Sequence, residues 1–181
     1  MYVSSVSFGC YIEFNYMENA LPIRKHPRWK SYDYSRKGAY FITIYTDRKR
    51  KLLSDVVGRG LAPAEVELSD LGKIFQRQLL DMEKRFPFLT VGEYVIMPNH
   101  VHVILFFDEA AGASPRPTGM DVVCALKSLT VRECRKNGFK GSLFQTSFHD
   151  HIIRDNDDYV KHKNYILENP RLWHLDEMYC E

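Results

Sequence analysis

The order of hydrophobic patterns predicts an α+β domain, a ferredoxin-like βαββαβ unit on an antiparallel sheet with an added C-terminal helix. Three observations carry this. Short β-branched and aromatic runs alternate with longer stretches of helical spacing. The elements follow the order strand, helix, strand, strand, helix, strand, helix. Turn-forming Gly, Pro and Asn punctuate the chain between the runs, and no repeat or low-complexity tract is present.

Residues 39–46 open the unit as a strand, preceded by Gly38 and followed by Asp47. Residues 52–66 hold two Gly and a Pro and are expected to form a loop. Ser69 then caps a helix over 70–85, whose Leu71, Ile74, Phe75, Leu79 and Met82 recur at helical spacing and face the core. Pro87 ends it. Residues 88–97 and 100–107 are two strands broken by Pro98-Asn99, and together form a hairpin. A Gly- and Pro-rich loop over 109–118 precedes a second helix over 120–136, with Val123, Leu126, Leu129 and Val131 inward and Gly138 as its stop. Residues 144–154 supply the fourth strand. Asp155 or Asn156 caps a last helix reaching Asn169, with Pro170 beyond.

Composition fits one such domain. The chain has 181 residues, 45% hydrophobic and 27% charged, which excludes a disordered chain, a collagen-like repeat and a fibrous coil. Residues 1–23 are expected to be a leader, with Met17 as an alternative start, and 24–181 a single domain. The leader carries Glu13 and Glu18 and lacks the basic start and apolar core of a signal peptide. The longest apolar run, over 103–107, is far short of the ~18 residues of a membrane span. Cys10, Cys124, Cys134 and Cys180 form no CxxC pair. Reduced thiols and a cytoplasmic location are expected.

The net charge of +2 makes no case for a nucleic-acid partner, but it conceals an uneven distribution. Arg24, Lys25, Arg28, Lys30, Arg36, Lys37, Arg48, Lys49, Arg50 and Lys51 crowd one stretch, opposed only by Asp33 and Asp47. Trp29, Tyr32, Tyr34, Tyr40, Phe41 and Tyr45 interleave it. Cations for phosphates beside aromatic faces for bases are the composition of a single-strand-binding surface; the bland reading is a solvated charged face.

His100-Val101-His102 is the sharpest local feature. Side chains two apart on a strand share a face, so both imidazoles point one way, while Val101 and Val103 point into the core. Two imidazoles side by side begin a divalent-metal site, or are two half-buried histidines with separate hydrogen bonds. On the last helix Tyr165 and Asn169 are four apart and lie one above the other. Tyr159 projects from a different face and is expected to pack on the sheet with its hydroxyl at the rim. His162, one turn before Tyr165, is expected on the solvent face. His151 and Arg154 either hold a ligand or join the hydrogen-bonded surface.

Taken together these segments resemble a known family. Tyr94-Val95-Ile96-Met97-Pro98-Asn99-His100-Val101-His102-Val103-Ile104 resembles the HUH hairpin of the single-tyrosine transposases, and the chain is similar to the REP-associated tyrosine transposases in particular. Tyr32-Asp33-Tyr34-Ser35 with Gly38-Ala39-Tyr40-Phe41-Ile42-Thr43 resembles that family's first strand and its approach. Gln145-Thr146-Ser147-Phe148-His149-Asp150-His151-Ile152-Ile153-Arg154 resembles the strand before its last helix. Tyr165-Ile166-Leu167-Glu168-Asn169-Pro170, with Trp173, resembles its catalytic helix and exit. The likeness spans residues 24–176.

The resemblance implies a metal-dependent single-stranded DNA endonuclease or transposase working through a 5′-phosphotyrosine and recognising hairpin DNA. Tyr165 would be the nucleophile. His100, His102 and Asn169 would hold the metal, Mg²⁺ or Mn²⁺. Arg24, Arg28, Lys30, Arg36, Lys37, Arg48, Lys49, Arg50 and Arg154 would bind DNA, although the basic positions align only loosely. The chain would act as a monomer or a homodimer, the joint over 155–158 allowing the tyrosine helix to stay or to be exchanged. The alternative is an inactive, domesticated DNA-binding relative, which needs none of the four site residues. A metal phosphoesterase would call for more carboxylate or histidine ligands than the hairpin offers. An RNA-binding sheet would show aromatics in the RNP pattern, which is absent.

Overall fold

The computed structural model describes residues 37–57, 64–108 and 118–175. Four strands build the main sheet: β1 (Gly38–Tyr45), β4 (Leu89–Ile96), β5 (His100–Phe107) and β6 (His149–Ile153). Their order across the sheet is β4-β5-β1-β6, and every neighbouring pair is antiparallel. With the helices α1 (Asp70–Arg85) and α2 (Gly119–Lys136) as the crossovers, this is the predicted ferredoxin-like unit. The helix α3 (Asn156–Leu172) follows β6.

Alternation along the strands divides the side chains between two layers. Tyr40, Ile42 and Ile44 of β1 and Val101, Val103, Leu105 and Phe107 of β5 meet Ile74, Phe75, Leu79 and Met82 of α1 and Val122, Val123 and Leu126 of α2 in one buried cluster. The other face carries the smaller cluster of Val95, Met97, Ile104, Ile166 and Trp173, flanked by Phe41, Phe106, Ile153 and Tyr159. α3 therefore covers the sheet face opposite α1 and α2.

The helix ends follow local chemistry. Ser69 accepts from the Gly72 amide as the α1 N-cap. Thr118 and Asp121 form a reciprocal capping box on α2. Asp155 caps α3 by accepting from the Asp158 amide. Leu71, Leu129 and Val131 are only partly buried, at the margin of the core.

Three expectations need correction. Residues 52–66 are not all loop: β2 (Ser54–Val57) and β3 (Glu65–Leu68) pair antiparallel as a separate two-stranded sheet. Each offers only four residues of alternation, too few for periodicity to stand out from a loop. The fourth strand is shorter than 144–154. Phe144 makes only an isolated bridge to Thr46, and pairing to β1 begins at His149. α3 does not stop before Pro170 but continues to Leu172, with the proline in its last turn.

The short hairpin turn is tied from outside. Pro98 O accepts from the amides of Leu52, at 2.8 Å, and Leu53, at 3.0 Å, and Asn99 O accepts from the Thr46 amide at 2.9 Å. The Thr46 hydroxyl also donates to Asn99 O at 3.0 Å. These bonds hold still the residue from which the histidine strand departs.

Candidate active site beneath the tyrosine helix

Strand register places the histidines. Thr43 of β1 pairs with His102, Tyr45 with His100, and Val95 of β4 with His102 from the other side. His100 and His102 stand on the α3 face with ring centroids 4.5 Å apart, and both are buried rather than half-buried. Each ring is anchored through Nδ1, at 2.9 Å to the Thr43 hydroxyl for His102 and at 2.8 Å to Asn99 Oδ1 for His100. Anchoring at Nδ1 fixes ring orientation and leaves Nε2 as the reactive edge.

His102 Nε2 is a buried atom with no hydrogen-bond partner. Burial, then the neighbouring His100 and His162, hold the His102 pKa well below the ordinary histidine value. The ring is neutral at physiological pH and can offer a lone pair. An unsatisfied buried nitrogen costs about 1–3 kcal/mol, which a bound ion, ligand or ordered water would offset.

α3 lays its residues along this pair. The Tyr165 ring lies 5.1 Å from His102, and the Trp173 ring 5.8 Å from His100. Asn169 lies one helical turn from each, and its side chain is buried. Asn169 thus enters the interior between the two contacts, while Tyr165, 45% exposed, stands at the rim. Buried Ile166 sets the depth of the helix against Val95, Met97 and Ile104. Two imidazole nitrogens and an amide oxygen are a neutral donor set that suits a divalent transition ion and tolerates Mg²⁺.

Tyr159 lies where the helix geometry placed it. Its ring packs 5.9 Å from Phe106, and its hydroxyl donates to Glu93 of β4 at 3.0 and 3.1 Å. Lys163 pairs with the same carboxylate at 2.6 Å. Burial, then the Glu93 hydrogen bond, raises the Tyr159 pKa, so this tyrosine is a structural anchor and a poor nucleophile.

Among the described residues, the predicted basic positions fall at two ends of the sheet. Arg24, Arg28, Lys30 and Arg36 lie outside the described residues. Lys37, paired with Asp108 at 3.2 Å, and Arg154 sit at one end of the β1–β6 pair. Arg48, Lys49 and Arg50 sit at the opposite end, on the turn that follows Tyr45, the partner of His100. Arg48 and Lys49 both adopt left-handed backbone, with φ of 53° and 54°. The Arg50 guanidinium bonds Ser142 O and Asp47 O and so braces the turn.

His162 is not on the solvent face. Its side chain is 15% exposed, with the ring 4.6 Å from Phe41 and stacked 4.5 Å from His151. Phe41 in turn stacks on His102 at 5.1 Å. α3 has no clean apolar stripe; its sheet-facing row runs Tyr159, His162, Lys163, Ile166, Asn169, Trp173. That four-residue spacing back from Ile166 was the available signal for His162. Its ring Nδ1 lies 2.8 Å from Asp158 O and 3.2 Å from Asp158 Oδ1, and His151 Nε2 lies 2.8 Å from Asp158 Oδ2.

Comparison with known proteins supplies relatives. No protein-family profile matches the chain. An uncharacterised protein of Haemophilus influenzae is 29% identical over 174 residues, covering 87% of this chain and 94% of the relative. A second protein of that organism, provisionally named a REP-associated tyrosine transposase, is 28% identical over 149 residues, covering 76% of this chain and 73% of the relative. Among solved structures, a REP-associated tyrosine transposase bound to a REP hairpin superposes with a TM-score of 0.56 at 21% identity, covering 81% of this chain and 74% of the other.

The sheet order, the helix laid across the histidine pair and the structural likeness define an HUH-type fold. Within that class the chain is similar to a protein provisionally named a REP-associated tyrosine transposase and shares the fold of one bound to a REP hairpin.

Proposed function

We propose that this protein is a metal-dependent single-stranded DNA endonuclease and transposase, which cuts and rejoins strands through a 5′-phosphotyrosine on Tyr165 and recognises hairpin DNA. The observation that carries the reading is the edge-on approach of half-exposed Tyr165 to His102, a neutral imidazole whose buried Nε2 lacks a hydrogen bond. Tyr159 packs on Phe106 and donates its hydroxyl to Glu93, the arrangement of a structural tyrosine. The relatives' names and the hairpin-bound neighbour support the substrate class.

The reaction is a transesterification. The Tyr165 oxygen attacks the phosphorus in line, the phenol loses its proton, and the 3′ oxygen leaves and takes up a proton. A free tyrosine has a pKa near ~10, so deprotonation accompanies attack. The phosphotyrosine keeps the phosphodiester's bond energy, and a 3′-hydroxyl can later attack it and restore Tyr165. Thr43 and Asn99 hold the imidazoles, and His100 and His102 Nε2 with Asn169 Oδ1 would hold a divalent ion. Bound there, Mg²⁺ or Mn²⁺ supplies positive charge for a non-bridging phosphate oxygen. Arg48 and Lys49, on the turn beside the hairpin, and Lys37 and Arg154 at the other end offer charge to the DNA backbone.

The test mixes the full chain with labelled hairpin DNA bearing single-stranded flanks and with Mg²⁺ or Mn²⁺. A covalent adduct that survives denaturation, is lost in Tyr165→Phe and persists in Tyr159→Phe is expected. Tight hairpin binding with no adduct, across metals and flank sequences, would overturn the reading.

A further inference from the structure

We propose that His151, Asp158 and His162 form a second metal site, separate from the His100/His102 pair and suited to Zn²⁺. His151 comes from β6, and Asp158 and His162 from the first two turns of α3. One ligand atom from each residue can be chosen so that all three lie within 4.8 Å of one another.

The geometry of the group is close to that of a ligand shell. His151 Nε2 stands 2.8 Å from Asp158 Oδ2, and His162 Nδ1 stands 3.2 Å from Asp158 Oδ1. In a tetrahedral zinc shell with bonds of about 2.0–2.2 Å, neighbouring ligand atoms are about 3.3–3.6 Å apart. The two imidazoles are already stacked, centroids 4.5 Å apart, with planes at 26°. His162 Nδ1 also lies 2.8 Å from Asp158 O, so binding a cation would exchange these hydrogen bonds for metal bonds through shifts of the side chains alone. On binding, any proton on the two ligating nitrogens moves to the other ring nitrogen or to water. Hydrogen bonding from His151, ahead of an opposing burial effect, keeps the Asp158 carboxyl below the usual carboxylate range, so that ligand is ionised. His151 is partly exposed, which gives an entry path and an open position. Two imidazoles and one carboxylate favour zinc over the harder Mg²⁺.

The site is distinct from the histidine pair. The Phe41 ring stands between them, 4.6 Å from His162 and 5.1 Å from His102. It also spans the joint between β6 and α3, where the Arg154 amide donates to Asp158 Oδ2 at 3.2 Å. A cation there would clamp the start of the helix that carries Tyr165, one turn further on. The clamp stands whether or not Tyr165 cuts DNA.

Zinc titration of the chelator-treated full chain by calorimetry tests this, with Co²⁺ absorption as a second readout. The His100→Ala/His102→Ala variant isolates the new site and is expected to bind one equivalent of Zn²⁺ and to give visible Co²⁺ bands of tetrahedral intensity. Adding His151→Gln and His162→Gln is expected to remove that equivalent and the bands, with the circular dichroism spectrum unchanged. Asp158→Asn in the same background should weaken binding at least tenfold. Absence of zinc binding in a folded His100→Ala/His102→Ala variant overturns the proposal. So does binding that persists unchanged after the glutamine substitutions, which assigns the metal to other histidines. Neither readout involves DNA, so a failed adduct assay leaves this result to be read by itself.

Discussion

Tyr165 stands edge-on to His102, with ring centroids 5.1 Å apart and ring planes at 69°. The nucleophile candidate thus touches the ligand candidate through its ring. Tyr165→Phe should keep the contacts to His102 and Phe41 and change stability by less than about 1 kcal/mol. It should abolish the covalent DNA adduct altogether. Chemical denaturation and a denaturing gel of the labelled DNA check the two halves.

Thr43 is a positioning residue for His102. Thr43→Val keeps the shape and removes the 2.9 Å hydrogen bond to Nδ1, freeing the buried ring to turn. Loss of such a supporting bond lowers metal affinity about 10–100-fold. Leaving the buried nitrogen unsatisfied costs about 1–3 kcal/mol. Mn²⁺ titration and urea unfolding of the variant measure both, and an unchanged metal affinity would show that Thr43 does not orient the ring.

Glu93 joins α3 to β4 through Tyr159 and Lys163. Burial pushes its pKa up, but the Lys163 hydrogen bond, its own backbone amide, the Tyr159 hydroxyl and the Lys163 charge together hold it below the ordinary glutamate value of 4.5. A depressed carboxylate contributes stability in full above that ordinary value and loses it as pH falls through the folded-state value. Glu93→Gln should therefore be less stable than the parent at pH 7, and the gap should narrow below pH 4.5. Urea unfolding at stepped pH tests this; a constant gap would mean that the ionised carboxylate does not carry the effect.

Gly72 permits the close approach of α1 to the strap that supports the hairpin. A Cβ at this position would lie 2.0 Å from Leu53 O, a backbone atom. The Leu53 amide donates to Pro98 O, one residue before Asn99. Gly72→Ala must push the strap aside, at a cost of about 1–3 kcal/mol despite alanine's better helix propensity. A drop in thermal midpoint accompanied by weaker metal binding is expected. A stabilised variant would contradict the close approach.

Local patterning carried much of this protein. Alternation assigned His100 and His102 to one face and Val101 and Val103 to the other, because side-chain period on a strand is a property of the backbone alone. Ser69, and Asp155 or Asn156, announced their helices by capping chemistry, the structure taking Asp155, and four-residue spacing put Tyr165 and Asn169 one above the other. Resemblance in four ordered segments of the sequence pointed to the transposase relatives.

What tertiary structure decided lies in the docking of α3. Helical spacing says which residues share a face but not which face meets the sheet when apolar and polar residues share the inward row. Ile166 and Trp173 make that choice by entering the cluster of Val95, Met97 and Ile104, and they bring Tyr165 to His102 and bury Asn169. The same choice turns His162 away from solvent onto Phe41 and His151. The pairing of Ser54–Val57 with Glu65–Leu68 likewise depended on contacts outside the two strands, where Ser54 donates to Ile96 O at 2.7 Å. Identity and order of the chemical groups are written along the chain; their distances are set by burial of apolar surface remote in sequence, whose energy no local window contains.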